Sequence, residues 1–167
     1  EVSYTLVSDY IFRGINFSEY PGEGSEDLNH QLSVTVEYDL GDWGYVGANF
    51  WFEWFAGNDN VPAYTTDESD GHLQEVDYSV YWGTDVPQVA WIEDVAAGLI
   101  IYHFPQADDD DARHTCEWYV KMSFNDGALW GCEDPILNPT LSYYLDVDDV
   151  DASRIEIGIS HEFDLAE

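Results

Sequence analysis

The chain has 167 residues, 45% of them hydrophobic and 16% aromatic, and its 35 acidic against 4 basic side chains give a formal charge of -31. Such a charge excludes nucleic acid as a partner, because phosphates are repelled, and no run of about 18 apolar residues supplies a transmembrane helix. The length suits a single domain over residues 1–167, and the acids are interleaved with large apolar residues, so the chain is not of the disordered class.

Eight segments alternate apolar and polar residues with a period of two, the signature of strands with one apolar face. The first, 2–15, carries Leu6, Tyr10 and Phe12 on one side and Arg13 on the other. The second, 30–40, is the clearest: Leu32, Val34, Val36, Tyr38 and Leu40 oppose Gln31, Ser33, Thr35, Glu37 and Asp39. In the third, 44–56, Val46, Phe50, Phe52 and Trp54 oppose Gly47 and Glu53. Trp51 and Phe55 flank Glu53 on that polar face, which points to a plugged lumen, a ligand-contacting wall or a subunit contact. The fourth, 72–84, sets Val76, Tyr78, Val80 and Trp82 against Glu75, Asp77, Ser79 and Gly83.

The fifth segment, 94–104, places Ile100, Tyr102 and Phe104 on the apolar side. The sixth, 115–125, has Trp118, Val120, Met122 and Phe124 opposite Glu117, Lys121 and Ser123. In the seventh, 138–146, Leu141, Tyr143 and Leu145 are apolar, and in the eighth, 153–163, Ile155, Ile157, Ile159 and Phe163 oppose Arg154, Glu156, Gly158, Ser160 and Glu162. Most segments run 9–13 residues, near what a tilted strand needs to cross a bilayer. Tight connections such as Gly41-Asp42-Trp43 alternate with long acidic ones at 16–29, 57–71 and 105–114, the asymmetry of outer-membrane barrels.

The expected fold is all-β, an antiparallel up-and-down barrel of about eight strands with a polar interior and an apolar aromatic exterior. Three of the four bases fall on the polar face among carboxylates. Arg13, Glu37, Glu53, Glu75, Glu117, Lys121, Arg154 and Glu156 therefore form the expected interior charge network, with small Gly and Ser residues between them. The soluble alternative reverses the faces, making the polar side the wet one. An eight-stranded interior filled by side chains disfavours a general porin.

Cys116 and Cys132 bracket a predicted hairpin and suit a disulfide in an oxidising compartment. The acidic excess makes divalent cations plausible partners. Asp108, Asp109, Asp110 and Asp111 either bind calcium or extend a loop into solvent. Asp146, Asp148, Asp149 and Asp151 form a second candidate calcium turn, which lacks the glycine and glutamate of an EF-hand. The five histidines share no close ligand spacing. Ser160-His161-Glu162 has the residue types of a hydrolytic triad, but its side chains alternate faces along one strand. A glycosidase pair drawn from Glu37, Glu53 and Glu75 is better read as structural pairing with the bases, so no enzymatic activity is expected.

The segment Ser8-Asp9-Tyr10-Ile11-Phe12-Arg13-Gly14-Ile15 resembles the first strand of a poorly characterised group of Gram-negative outer-membrane β-barrel proteins, which begin Ser-Asp-Tyr-x-Phe-Arg-Gly. Gly98-Leu99-Ile100-Ile101-Tyr102-His103-Phe104-Pro105 is similar to that group's central strand. Asn138 to Asp148 and Glu156 to His161 resemble the strand pair that follows it. The resemblance implies an outer-membrane location and carries no catalytic residues. The chain departs from the group in its acidity and in ending Phe163-Asp164-Leu165-Ala166-Glu167 without a terminal aromatic. It also starts directly in a strand. Together these suggest a processed start and further strands beyond residue 167. A structural, adhesive or narrow-transport role in the outer membrane, with lipid against the apolar face, is the first expectation. A secreted or cell-surface β-protein whose aromatic face packs against neighbouring copies or subunits is the second, and a soluble lipocalin-like carrier the third.

Overall fold

The computed structural model describes residues 1–16, 28–55, 73–105, 107, 113–132, 134–148 and 151–161. Its strands are β1 (Val2–Val7), β2 (Ile11–Phe12), β3 (Ile15–Asn16), β4 (Asn29–Asp39), β5 (Tyr45–Phe55), β6 (Leu73–Asp85), β7 (Ile92–His103), β8 (His114–Phe124), β9 (Thr140–Asp146) and β10 (Ser153–Gly158). A 3-10 turn at Gly41–Trp43 joins β4 to β5, and a one-turn helix, Gly127–Trp130, lies between β8 and β9. Eight strands form one sheet in the order β1-β4-β5-β6-β7-β8-β9-β10, with every neighbouring pair antiparallel. The fold is all-β and up-and-down, as its alternation predicts. It is not a closed ring: among the described residues β1 and β10 are free edges.

The first segment is not one strand. β1 ends at Val7, and the chain then turns back into the two-stranded β2-β3 hairpin, outside the main sheet. Arg13 and Gly14 occupy its two-residue turn with φ of 54° and 82°, the left-handed pair that a tight hairpin requires. Asp9 closes its base by accepting hydrogen bonds from Ser8 Oγ at 2.8 Å and Asn16 Nδ2 at 3.0 Å.

The sheet's two faces differ in chemistry. Outward lie exposed Val2, Tyr4 and Leu6 of β1, then Val36, Phe50, Val80, Trp118, Tyr143, Ile155 and Ile157 on the later strands. Inward, under the hairpin, lie Asn29, Glu53, Glu75, Glu117, Ser142 and Asp146, all buried. One strand departs from expectation. In β7, Ile100 and Tyr102 pair with Ser79 and Asp77 on the inner face, while Leu99 and Ile101 pair with Val80 and Tyr78 on the outer one. Apolar residues at both parities of Leu99-Ile100-Ile101 leave the alternation silent there. What fixes the register is the space available to Ala96 and Gly98 on the crowded inner side.

Tyrosines lying over glycines show how crowded that side is. The Tyr119 ring crosses Gly98, where a Cβ would lie 2.6 Å from both Tyr119 Cε1 and the Val80 carbonyl. Tyr81 crosses Gly47 in the same way, and Tyr45 crosses Gly83. Each glycine lets a ring reach beyond the adjacent strand. Tyr81 thereby donates to Glu37 at 3.2 Å and Tyr45 to Asp94 at 2.8 Å, in each case to a strand two positions away.

Candidate functional site: the charge network beneath the hairpin

The hairpin carries three side chains onto the inner face. Tyr10 Oη donates to Glu75 Oε2 at 2.7 Å, and its ring lies 5.5 Å from that of Trp51. The Phe12 ring lies 5.9 Å from that of Tyr102. Arg13 Nη2 donates to both carboxylate oxygens of Glu117, at 2.7 and 2.6 Å, and Tyr102 Oη donates to Glu117 at 2.9 Å. The Arg13 guanidinium also sits 4.4 Å above the Phe12 ring, a cation–π contact. Arg13 is thus an interior cation, but it arrives on a turn and not on a strand.

The acids of this centre outnumber its cation. Glu53 and Glu75 are directly opposed across β5 and β6. Glu53 is 0% exposed, and neither carboxyl oxygen has a hydrogen-bond partner among the described residues. Glu75 and Asp77 lie two residues apart on one face of β6 and interact with each other. Asp77 Oδ1 is buried with no hydrogen-bond partner among the described residues. Like charges this close cannot all ionise in a dry interior, so the centre holds protons as well as charge.

The other expected members lie elsewhere. Glu37 is exposed and is bonded only to Tyr81 in the structure described. Lys121 is exposed near the tight-turn end of the inner face. Arg154 and Glu156 pair with each other at 3.1 Å on edge strand β10, with Arg154 stacked 4.1 Å above the Tyr144 ring. The network therefore resolves into a centre of the buried Glu53, Glu75 and Glu117 with the partly exposed Arg13, joined by Asp77, and two local contacts. Sequence reasoning missed the hairpin that assembles the centre. The available signal was Arg13-Gly14 between the short segments Ile11-Phe12 and Ile15-Asn16, with glycine at the second turn position.

Cys116 and Cys132 are both free thiols, which corrects the expected disulfide. Cys116 lies near the start of β8 and Cys132 follows the helix beyond its end, so about 26 Å of strand separates the two ends, against the 7 Å or less that a cystine spans. Asp108 to Asp111 and Asp149 lie outside the described residues. Asp146 is buried and accepts from Thr115 Oγ1 at 2.6 Å and from the Asp148 amide at 3.0 Å, and so acts as a turn brace. Asp148 lies 3.7 Å from His114 Nε2, and Asp151 takes a left-handed φ of 45°. No group of three or more His, Cys, Asp or Glu side chains among the described residues is arranged to hold a metal ion. His103 and His114, far apart in sequence spacing terms, are register partners across β7 and β8. No family model, no curated protein and no solved structure matches the chain.

Proposed function

We propose that the chain is an outer-membrane β-barrel protein with a structural, adhesive or narrow-transport role. The observation that carries this reading is the inversion of burial. Val80 is 57% exposed and Ile157 77%, while the largest fully buried side chains among the described residues are Glu53, Glu75 and Asn29. A sheet in water gains stability by the opposite arrangement, at about 25 cal/mol per Å² of apolar surface removed from water. Lipid against the outer face makes that face favourable and keeps the carboxylates inside.

The aromatic residues support the same reading. Trp43, Trp82, Trp91 and Trp130 are exposed at the tight-turn end, and Trp82 Nε1 donates to the Trp43 carbonyl at 2.8 Å. Toward the other end, Tyr4 is hydrogen-bonded to His30, whose ring stacks on Trp54. From the level of Tyr38 and Val46 to Trp54 is about 27 Å along β5, a fitting height for an apolar band between two girdles. The motifs resembling the Gram-negative outer-membrane group agree with it.

A second reading, a secreted or cell-surface protein whose outer face packs against neighbouring copies or subunits, is favoured by the two free edges. Calcium held by the acidic loops belongs to either reading. Extraction that requires detergent, with heat-modifiable migration on a gel, is the result expected of the membrane protein. Release into buffer on calcium chelation would overturn it in favour of the assembled surface protein.

A further inference from the structure

Glu53 sits where nothing near it offsets a charge. It is fully buried on the inner face, and neither of its carboxyl oxygens has a hydrogen-bond partner among the described residues. On β6, Glu75 stands directly opposite and Asp77 one rung along, and on β4 the register partner is the uncharged Gln31. The hairpin brings Tyr10 and Arg13, β7 brings Tyr102 and β8 brings Glu117. Arg13, the cation among them, is engaged by Glu117 through both carboxylate oxygens. A carboxylate with neither water nor a donor is costly to bury, so the neutral acid is the form of Glu53 that this packing accommodates.

Tyr10 of the hairpin lies against both neighbours of this acid. Its ring is 5.5 Å from that of Trp51, two residues from Glu53 on the same face, and its hydroxyl donates to Glu75, the residue opposite. The hairpin stands outside the main sheet, so no ladder of backbone hydrogen bonds ties it to these strands. A cavity of about 280 Å³ lies between the two, lined by Tyr10, Trp51 and Asp77 among others, and it reaches the rung next to Glu53. An ionised Glu53 needs water, and the hairpin is the cover that lifts to admit it without breaking the sheet.

We propose that the hairpin of residues 11–16 is a proton-controlled latch, docked on the sheet while Glu53 is neutral and lifted when Glu53 gives up its proton to water. The latch goes beyond the membrane reading and does not depend on it, since the inner face is the same whatever covers the outer one. Protons set its direction. Docked, Glu53 holds one; lifted and hydrated, it releases that proton above about 4.3, the ordinary value for glutamate. Docking is therefore at full strength below that pH and weakens as pH rises, by about tenfold per pH unit while the docked form keeps its proton.

Trypsin reports the latch, because Arg13 occupies the hairpin turn and a protease takes its substrate as an extended chain with the arginine free. The full chain in zwitterionic detergent is digested from about pH 6 to about pH 9, between the ordinary titrations of glutamate and tyrosine. Release of the fragment 1–13 is divided by the cleavage rate of a free peptide of residues 8–16 at the same pH. This relative rate is expected to rise tenfold or more, while the bond after Lys121, inside β8, stays intact. In Glu53→Gln it is expected to stay flat. The infrared carbonyl band of protonated carboxyl groups is expected in the unaltered chain at the low end of the range and is lost in step with the rise in cleavage. An unchanged relative rate, cleavage after Lys121 that keeps pace, or a rise that persists in a folded Glu53→Gln protein would overturn the proposal. If that variant does not fold, the infrared band decides, and its absence at about pH 6 would overturn the latch.

Discussion

Arg13 and Glu117, 104 positions apart in sequence, meet with one guanidinium nitrogen 2.7 and 2.6 Å from the two carboxylate oxygens. The Glu117 side chain is 4% exposed and the Arg13 side chain 29%, so the pair is largely withdrawn from water. Its worth lies less in mutual attraction than in what either partner would cost alone. Replacing Arg13 by Met leaves a buried carboxylate uncompensated and is expected to destabilise the fold by about 3 kcal/mol. The double variant Arg13→Met, Glu117→Leu is expected to recover most of that loss. Urea unfolding followed by tryptophan fluorescence measures both, and equal stability of the original and Arg13→Met proteins would show that the pair does not hold the hairpin.

Val80 and Gly98 flank one stretch of the β6-β7 pair and point to opposite faces. Under the bilayer reading, Val80→Arg is expected to cost about 2–4 kcal/mol when the protein is folded into phospholipid vesicles. On a water-exposed surface the same change is worth less than about 0.5 kcal/mol. A vesicle-folded Val80→Arg protein as stable as the original would count against lipid on this face.

On the inner side, Gly98→Ala drives a methyl group into the Val80 carbonyl and the Tyr119 ring, and only the ring can move. The expected loss is about 1–3 kcal/mol, the usual range for overpacking. Ala97→Val, one residue away on the exposed face, is expected to be nearly neutral. The contrast between these two neighbours is a direct test of the β7 register, because a slip by one residue exchanges their roles.

Asp126 organises the connection between β8 and β9. Burial pushes its pKa up, but the hydrogen bonds it accepts from Trp130 Nε1 and from the amides of Ile136 and Leu137 outweigh that and hold it below the ordinary 3.8. A carboxyl whose folded pKa is depressed lends stability that is full above its unfolded pKa and is lost as pH falls through the folded one. The Trp130 indole N–H resonance is therefore expected to stay unchanged from neutral pH down to about 4 and to shift only below it. In Asp126→Asn that acid transition is expected to vanish.

The two thiols are expected to react at different rates. Cys132 is exposed and Cys116 half-buried, so iodoacetamide is expected to modify Cys132 first, with no change in gel mobility between reduced and unreduced samples. A single slow-reacting population restored only by reductant would show a cystine after all.

Most of this architecture is legible in the alternation itself. Glu53 and Glu117 each sit between apolar neighbours, and both, like Glu75, are buried on the face that the pattern assigns to them. Where neighbouring residues are apolar at both parities, as at Leu99-Ile100-Ile101, the pattern carries no phase, and long-range packing against Tyr119 decides. The hairpin was hidden for a different reason: Tyr10 and Phe12 keep the strand period through a segment that reverses direction, and only the Arg13-Gly14 pair marks the reversal. The cavity beneath it was not legible, because it exists only where residues from the start of the chain meet β5, β6 and β7. Spacing alone likewise placed Cys116 and Cys132 together, although a full strand keeps them apart.

The hairpin's position also sets an order of events during folding. Each neighbouring pair of sheet strands can form from residues close in sequence, at little cost in loop closure. Tyr10 must wait for β6 and Arg13 for β8, so a segment that precedes β4 to β10 in the chain is among the last to find its place. Until β8 arrives, the carboxylates of the half-built sheet face water and remain hydrated. Dehydration of the interior is thus the closing step, and a chain stalled before Glu117 would keep both its hairpin and its buried acids in solvent.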